Sequence, residues 1–266
     1  VKSMRCLKEY FKGIWKDRYV LISLVRQDLQ MKYNRSILGV AWQIITPLGL
    51  SFIIGAVYSI IYGVSPIEFM PILFSGLNPW LFVTSSADGG TNSYISAEGY
   101  LKQTQVSPQI FPIRTVLVAF INLLYAMGAF FIVYLFLQPQ NFSLCMLAII
   151  PGLIIILLAG VGLANFSSAI TVNVRDFQPL QSLILQGVFY ATPIIYLPTM
   201  LDEKGYSLVY KLNPFYHIIN VVRSAALGMG TESVTYYFEV FACVTVFFLI
   251  SAVVTMKNNH GIAMKL

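Results

Sequence analysis

The chain has 266 residues, of which 57% are hydrophobic and only 11% charged, and its mean hydropathy is +0.73. An average soluble domain carries roughly 25% charge, so the composition excludes soluble globular, disordered and collagen-like classes and describes a membrane protein. Three cysteines cannot build a disulfide framework, and the formal charge of +6 sits beside apolar runs, which favours membrane lipid head groups over nucleic acid as its partner.

Nine of the 17 lysines and arginines precede Ser36. Within that stretch Leu7, Tyr10, Phe11, Ile14 and Trp15 recur at helical spacing while Lys8, Lys12 and Lys16 occupy another face, which predicts a basic amphipathic helix lying flat on the inner leaflet. A second amphipathic stretch, 20–33, sets Leu21, Ile22, Val25 and Leu29 against Arg26, Gln27 and Gln30 and suits an anchor helix or a docking surface for a cytoplasmic partner. No cleavable leader is expected, because the first apolar run comes late and has the length of a span.

Between charged residues lie the uncharged windows 36–67, 69–87, 115–174, 177–201 and 240–256. A crossing needs about 20 residues, so four windows hold one span each and the third holds two, divided at the helix-breaking Gln138-Pro139-Gln140-Asn141. The expected fold is therefore all-α, with about six transmembrane helices, an N-terminal interface segment at 1–35, a permease domain at 36–256 and a tail at 257–266. The positive-inside rule places the N-terminus in the cytoplasm, and an even span number places the C-terminus there too. Only Lys204, Lys211 and Arg223 then fall outside.

The link 92–112 suits a short cytoplasmic helix and turn, with Glu98 and Lys102 spaced for a local ion pair. The link 199–234 interleaves Tyr206, Leu208, Tyr210, Phe215 and Ile218 with Lys211, Asn213 and Arg223, and reads as short helices dipping back into the membrane, which requires protein or a water-filled cavity to satisfy their backbone. Gly160, Ala164 and Ser168 form a small-residue stripe that permits close helix packing, more readily within one subunit than across a dimer seam. Cys145 and Cys243 lie in apolar runs and are expected to be buried, unpaired thiols.

Catalytic signatures are absent from the sequence. There is no Gly-rich P-loop and no Gly-x-Ser-x-Gly elbow, and the two histidines, His217 and His260, are too far apart for a zinc-hydrolase motif. The acidic pair Asp202-Glu203 suits a solvated loop. Ion-coupled transport usually leaves ionisable residues inside the spans, yet 115–174 contains none; Asp88, at the inner end of the second span, is the nearest candidate.

Several segments carry a resemblance. Arg26-Gln27-Asp28-Leu29, Tyr33, Ser36, Leu38-Gly39, Trp42-Gln43 and Pro47 resemble the start of the first span in permease subunits of ABC exporters of polysaccharides, the family that moves O-antigen, capsule and teichoic acid polymers; Gln27 interrupts the family's usual Arg-Asp pair. Leu101-Lys102 with Val106-Ser107-Pro108-Gln109-Ile110-Phe111-Pro112 is similar to its cytoplasmic link, Val174-Arg175-Asp176-Phe177 and Tyr190-Ala191-Thr192-Pro193-Ile194-Ile195-Tyr196 to its fourth-to-fifth span junction, and Leu212-Asn213-Pro214-Phe215 with Arg223 and Gly228 to its outer gate.

The resemblance implies a homodimeric permease in a bacterial inner membrane, paired with two copies of a separate ATP-binding subunit. That partner would bind ATP and Mg, and this chain would bind no cofactor, hold no metal and have no catalytic residue. ATPase coupling would fall to Arg26, Asp28, Glu98, Lys102, Pro108, Arg175 and Asp176, and the outer gate to Asn213, Pro214, Phe215 and Arg223. A lipid-linked polysaccharide offers hydroxyls and weakly apolar ring faces, so its path is expected to use Trp42, Tyr58, Tyr62, Trp80, Phe189, Tyr190 and Tyr196 with neutral groups such as Asn78, Thr84, Ser85, Gln186 and Thr192. An ABC permease for a drug or lipid is the alternative, followed by an ion-coupled secondary transporter.

Overall fold

The computed structural model describes residues 2–33, 38–228, 232–259 and 262. Among these residues the regular structure is entirely helical: α1 (Lys2–Lys16), α2 (Arg18–Tyr33), α3 (Trp42–Tyr62), α4 (Pro66–Ser93), α5 (Glu98–Gln103), α6 (Ile110–Leu137), α7 (Ile149–Thr171), α8 (Phe177–Ala191), α9 (Pro198–Glu203), α10 (Leu208–Lys211), α11 (Pro214–Leu227) and α12 (Val234–Asn259). Among the described residues five segments are long and apolar enough to cross a membrane: Ile44–Tyr62, Pro66–Ser93, Ile110–Leu137, Leu144–Thr171 and Val234–Asn258. The expected boundary between 35 and 36, Ser36 itself, His260 and most of the tail lie outside the described residues.

The chain reverses where its sequence breaks helices. Gly63 adopts a left-handed φ of 67° and donates to Ile60 O, while Val64 N donates to Ser59 O; this pair closes α3, and Pro66 opens α4. At the predicted break in 115–174, α6 stops at Leu137 and a 3₁₀ turn covers Pro139–Asn141. The freed polar groups there are reused: Gln138 Nε2 donates to Ile67 O at 3.0 Å, and Tyr134 OH donates to Leu227 O at 2.9 Å.

α4 is the buried centre, packed by α3, α6, α7, α8 and α11. Its contact with α7 is close because small residues meet backbone to backbone. A Cβ on Gly90 would lie 2.6 Å from Ala164 Cα, and one on Gly160 would lie 2.6 Å from the Phe82 ring. Gly160 and Ala164 of the predicted stripe therefore pack within the chain. Buried Phe82, Val83, Val116, Leu123, Phe130, Ile155 and Ile156 fill the surrounding core.

Three expectations change. The window 177–201 forms no continuous span, because α8 ends at Ala191 after 15 residues, about 22 Å of rise against ~30 Å of hydrocarbon. Thr192 is extended at φ −98°, ψ 127°, as the residue before Pro193 must be, and Pro193 has no N–H to continue the helix. α12 begins at Val234, six residues before the expected window, and carries Glu239 on an exposed surface. Cys145 and Cys243 are exposed on the outside of the bundle instead of buried, and all three cysteines are free.

α1 does not rest on its apolar face alone. Tyr10 is fully buried against Phe248 of α12, with Leu7 and Ile14 beside it, whereas Phe11 and Trp15 remain exposed and Arg18 stacks over the Trp15 ring. α2 buries Leu21, Leu24 and Val25 and exposes Ile22 together with Arg26, Gln27 and Gln30. Asn165 Nδ2 of α7 donates to Tyr10 OH at 2.7 Å, and Ser107 N donates to Asp17 Oδ2 at 2.8 Å, so the N-terminal helices are tied to the bundle by polar contacts as well.

The α4–α7 contact makes a paired prediction. Gly90→Ala forces two backbones apart and is expected to cost about 1–3 kcal/mol, whereas Gly128→Ala in α6, whose added Cβ would meet nothing within 4 Å, is neutral or slightly stabilising. Thermal unfolding of the detergent-solubilised protein checks both.

Candidate functional site

Trp80 lies midway along α4, 14 residues or about 21 Å from Pro66. Two half-length helices meet there from opposite directions. Phe189, near the end of α8, has its ring 5.5 Å from Trp80, and Phe215, in the first turn of α11, lies at 6.0 Å. α8 packs on the halves of α4 and α7 that carry their C-termini, with Ser182 Oγ donating to Asp88 Oδ1 at 3.2 Å and Ser167 Oγ donating to Gln181 Oε1 at 2.5 Å. α11 packs on the other halves, where a Cβ on Gly152 would strike Val221 O at 2.8 Å and one on Gly76 would strike Arg223 Nη2 at 2.4 Å.

The interruption between the two half-helices is clamped from α11. Arg223 is 7% exposed; Nη1 donates to Pro193 O at 2.7 Å and Nη2 to Ile194 O at 3.0 Å, while Nε has no partner. Asn213 caps α11 by accepting from Phe215 N at 3.0 Å, and its Nδ2 donates to Thr192 Oγ1 at 2.7 Å. Pro214 opens α11 at its first position, so Asn213, Pro214, Phe215 and Arg223 form one structural unit around residues 192–194. Arg223, expected in the outer gate segment, is a buried cation. His217 joins α10, α11 and α12 by hydrogen bonds to Lys211 O at 2.7 Å and Tyr236 OH at 2.8 Å.

The expected path residues fall into three neighbouring places. Trp80, Phe189 and Tyr190 line a groove of about 380 Å³ between α4 and α8, together with Thr84, Asp88, Ser182 and Gln186. Trp42, with Asn78 and Ser85, lines a second cavity of about 420 Å³ between α3, α4 and α6, to which Asn122 adds an amide that the sequence reading missed; Leu81 borders both spaces. The Tyr58 and Tyr62 rings lie 5.6 Å apart, tilted at 44°, and Tyr196 is an electrostatic neighbour of Tyr62 while its OH donates to Tyr190 O at 2.9 Å. Tyr190 is exposed and Trp80 buried, so the α4–α8 groove has an accessible ring beside a fixed one.

The expected coupling residues gather at the end of the bundle that carries α1, α2 and α5. Glu98 and Lys102 form an exposed ion pair on α5 at 2.5 Å, and Lys102, with a smaller contribution from Arg175, holds the Glu98 carboxyl below its usual range. Arg175 and Asp176 are both exposed in the turn between α7 and α8, and Pro108 sits in the turn before α6. Arg26 is exposed, but Asp28 is engaged: Arg114 of α6 grips its carboxylate with Nε at 2.6 Å and with Nη2, a bidentate pair of side chains only 17% and 24% exposed. The sequence reading missed Arg114 as a site residue, whose only signal was a lone cation at the edge of the uncharged window 115–174.

Comparison with known proteins gives concordant matches. The chain is 26% identical over 210 residues, 78% of its length and 80% of the relative's, to the O-antigen export system permease protein RfbA of Myxococcus xanthus. It is 28% identical over 201 residues to a Klebsiella pneumoniae protein of the same name, covering 75% of this chain and 77% of the relative. Residues 19–227, from the start of α2 to the end of α11, match the ABC-2 type transporter model, and the chain belongs to that family.

Proposed function

We propose that this chain is the membrane-spanning subunit of an ATP-driven exporter that moves a lipid-linked polysaccharide across a bacterial inner membrane, worked by two copies of a separate ATP-binding subunit on a homodimer of this chain. One observation carries the reading: in a member of the ABC-2 family, the half-helix α8 brings Phe189 and Tyr190 to Trp80 of α4 over a groove furnished with hydroxyl and amide groups. Aromatic faces receive the apolar faces of sugar rings, and neutral donors and acceptors exchange hydrogen bonds with hydroxyls without fixing any one unit. The O-antigen export permeases among its relatives support the same substrate class.

In this reading α8 and the residues that follow it supply the fifth of six crossings, α9 to α11 form a re-entrant outer gate, and both termini are cytoplasmic, as the basic excess before residue 36 supports. The gate is closed by Arg223 and Asn213 holding residues 192–194. ATP-driven motion enters through α2, α5 and the 174–176 turn. The Asp28–Arg114 pair passes a push on α2 directly to α6, whose far end carries Tyr134 and its bond to Leu227 of α11.

Export of polymer by cells carrying this chain and its cognate ATP-binding subunit tests the assignment. Tyr190→Asp is expected to reduce export on the order of tenfold, the rate equivalent of ~1.4 kcal/mol, without loss of membrane assembly; normal surface polymer would remove Tyr190 from the path. For the coupling route, Asp28→Arg and Arg114→Asp should each lower polymer-stimulated ATPase activity, and the double exchange should restore most of it. Arg175→Ala with Asp176→Ala should likewise uncouple ATP hydrolysis from export, and unchanged stimulation would exclude that turn from the contact.

A further inference from the structure

The two helices that wall the α4–α8 groove run antiparallel and present matched rows. Trp80, Thr84 and Asp88 repeat every fourth residue along α4, while Ser182, Gln186 and the Phe189-Tyr190 pair follow at nearly the same spacing along α8. The result is an aromatic rung at one end, a neutral hydroxyl–amide rung in the middle and a carboxylate rung at the other, over about 12 Å.

Asp88 is the charged member of this ladder. Its carboxylate accepts a hydrogen bond from Ser182 Oγ at 3.2 Å, and among the described residues no lysine or arginine forms an ion pair with it. It is half-buried at the end of the groove, beside Ser182 and four residues beyond Thr84 on the same helix. Thr84 uses its hydroxyl proton on the carbonyls of Trp80 and Leu81, which leaves its oxygen as a further acceptor. The polar end is thus rich in acceptors and carries an uncompensated negative charge.

Resting on the polysaccharide reading above, we propose that Asp88 makes this groove a selectivity site for uncharged sugar units, binding their hydroxyls and turning away units that carry a carboxylate or phosphate. A sugar hydroxyl donates to the carboxylate in a charge-assisted hydrogen bond while the next ring rests on the Trp80 and Tyr190 faces. An anionic unit placed in the same position meets a like charge at contact distance and loses the hydrogen bond as well. Selection then works by repulsion of the wrong polymer, with no tight grip on the right one, as a conduit requires.

The test uses the full chain in phosphatidylcholine nanodiscs, whose zwitterionic head groups add no net repulsion, with Trp15→Phe and Trp42→Phe so that Trp80 alone reports. Maltoheptaose is expected to shift Trp80 emission at a concentration on the order of tenfold lower than an oligogalacturonate of the same length. Asp88→Asn, which keeps shape and removes charge, should narrow that gap to about twofold or less, and Asp88→Glu should preserve it. Equal responses to the two sugars in the parent chain, or a gap unchanged in Asp88→Asn, would overturn the selectivity site while leaving a sugar path standing. Failure of both sugars to shift Trp80 in the parent chain would overturn the path itself.

Discussion

An interrupted helix inside an apolar bundle must find partners for every backbone group that the interruption frees, and the architecture around α4 follows from how that demand is met. Pro193 cannot extend α8, and the carbonyls of Pro193 and Ile194 must be satisfied from outside the helix. The Arg223 guanidinium answers both, and Asn213 donates to the Thr192 hydroxyl while capping the next half-helix. Removing either partner would leave unsatisfied groups at a cost of about 1–3 kcal/mol each. The glycine at position 76 exists on the same terms, since a methyl group there would occupy the space of the guanidinium. The two half-helices meet at Trp80 on these terms.

The opposite end of the bundle obeys a different rule. α1 and α2 are joined to α6, α7 and α12 by a mixture of buried rings and long-range polar contacts, and Asp28 with Arg114 is the strongest of these by geometry. A bidentate pair holds direction as well as distance, so a displacement of α2 is transmitted to α6 with little slack. The exposed pairs on α5 and in the 174–176 turn have no such anchorage and present themselves to the surroundings.

The helices were legible where composition alone decides them. Charge-free windows located five spans, and Pro139 divided the longest window where α6 ends. The same rule failed at 177–201, because absence of charge says nothing about Thr192-Pro193, and it clipped α12, because a carboxylate such as Glu239 can sit on an outer helical turn. The aromatic residues were found by type, but their division between grooves depends on which face of α4 each neighbour meets, and that is a tertiary property. Span count assigns Arg223 to the outer link but says nothing of its burial, which is tolerated because carbonyl dipoles accept its hydrogen bonds. Arg114 was visible as a residue and invisible as a partner, since Asp28 lies 86 positions earlier in the chain.

Carbonyl oxygens quiet the donors of Arg223 but do not cancel its charge, and among the described residues no carboxylate pairs with it. Drawing α11 away from residues 192–194 would therefore strand a charged guanidinium in an apolar surrounding, a larger penalty than the loss of two neutral hydrogen bonds.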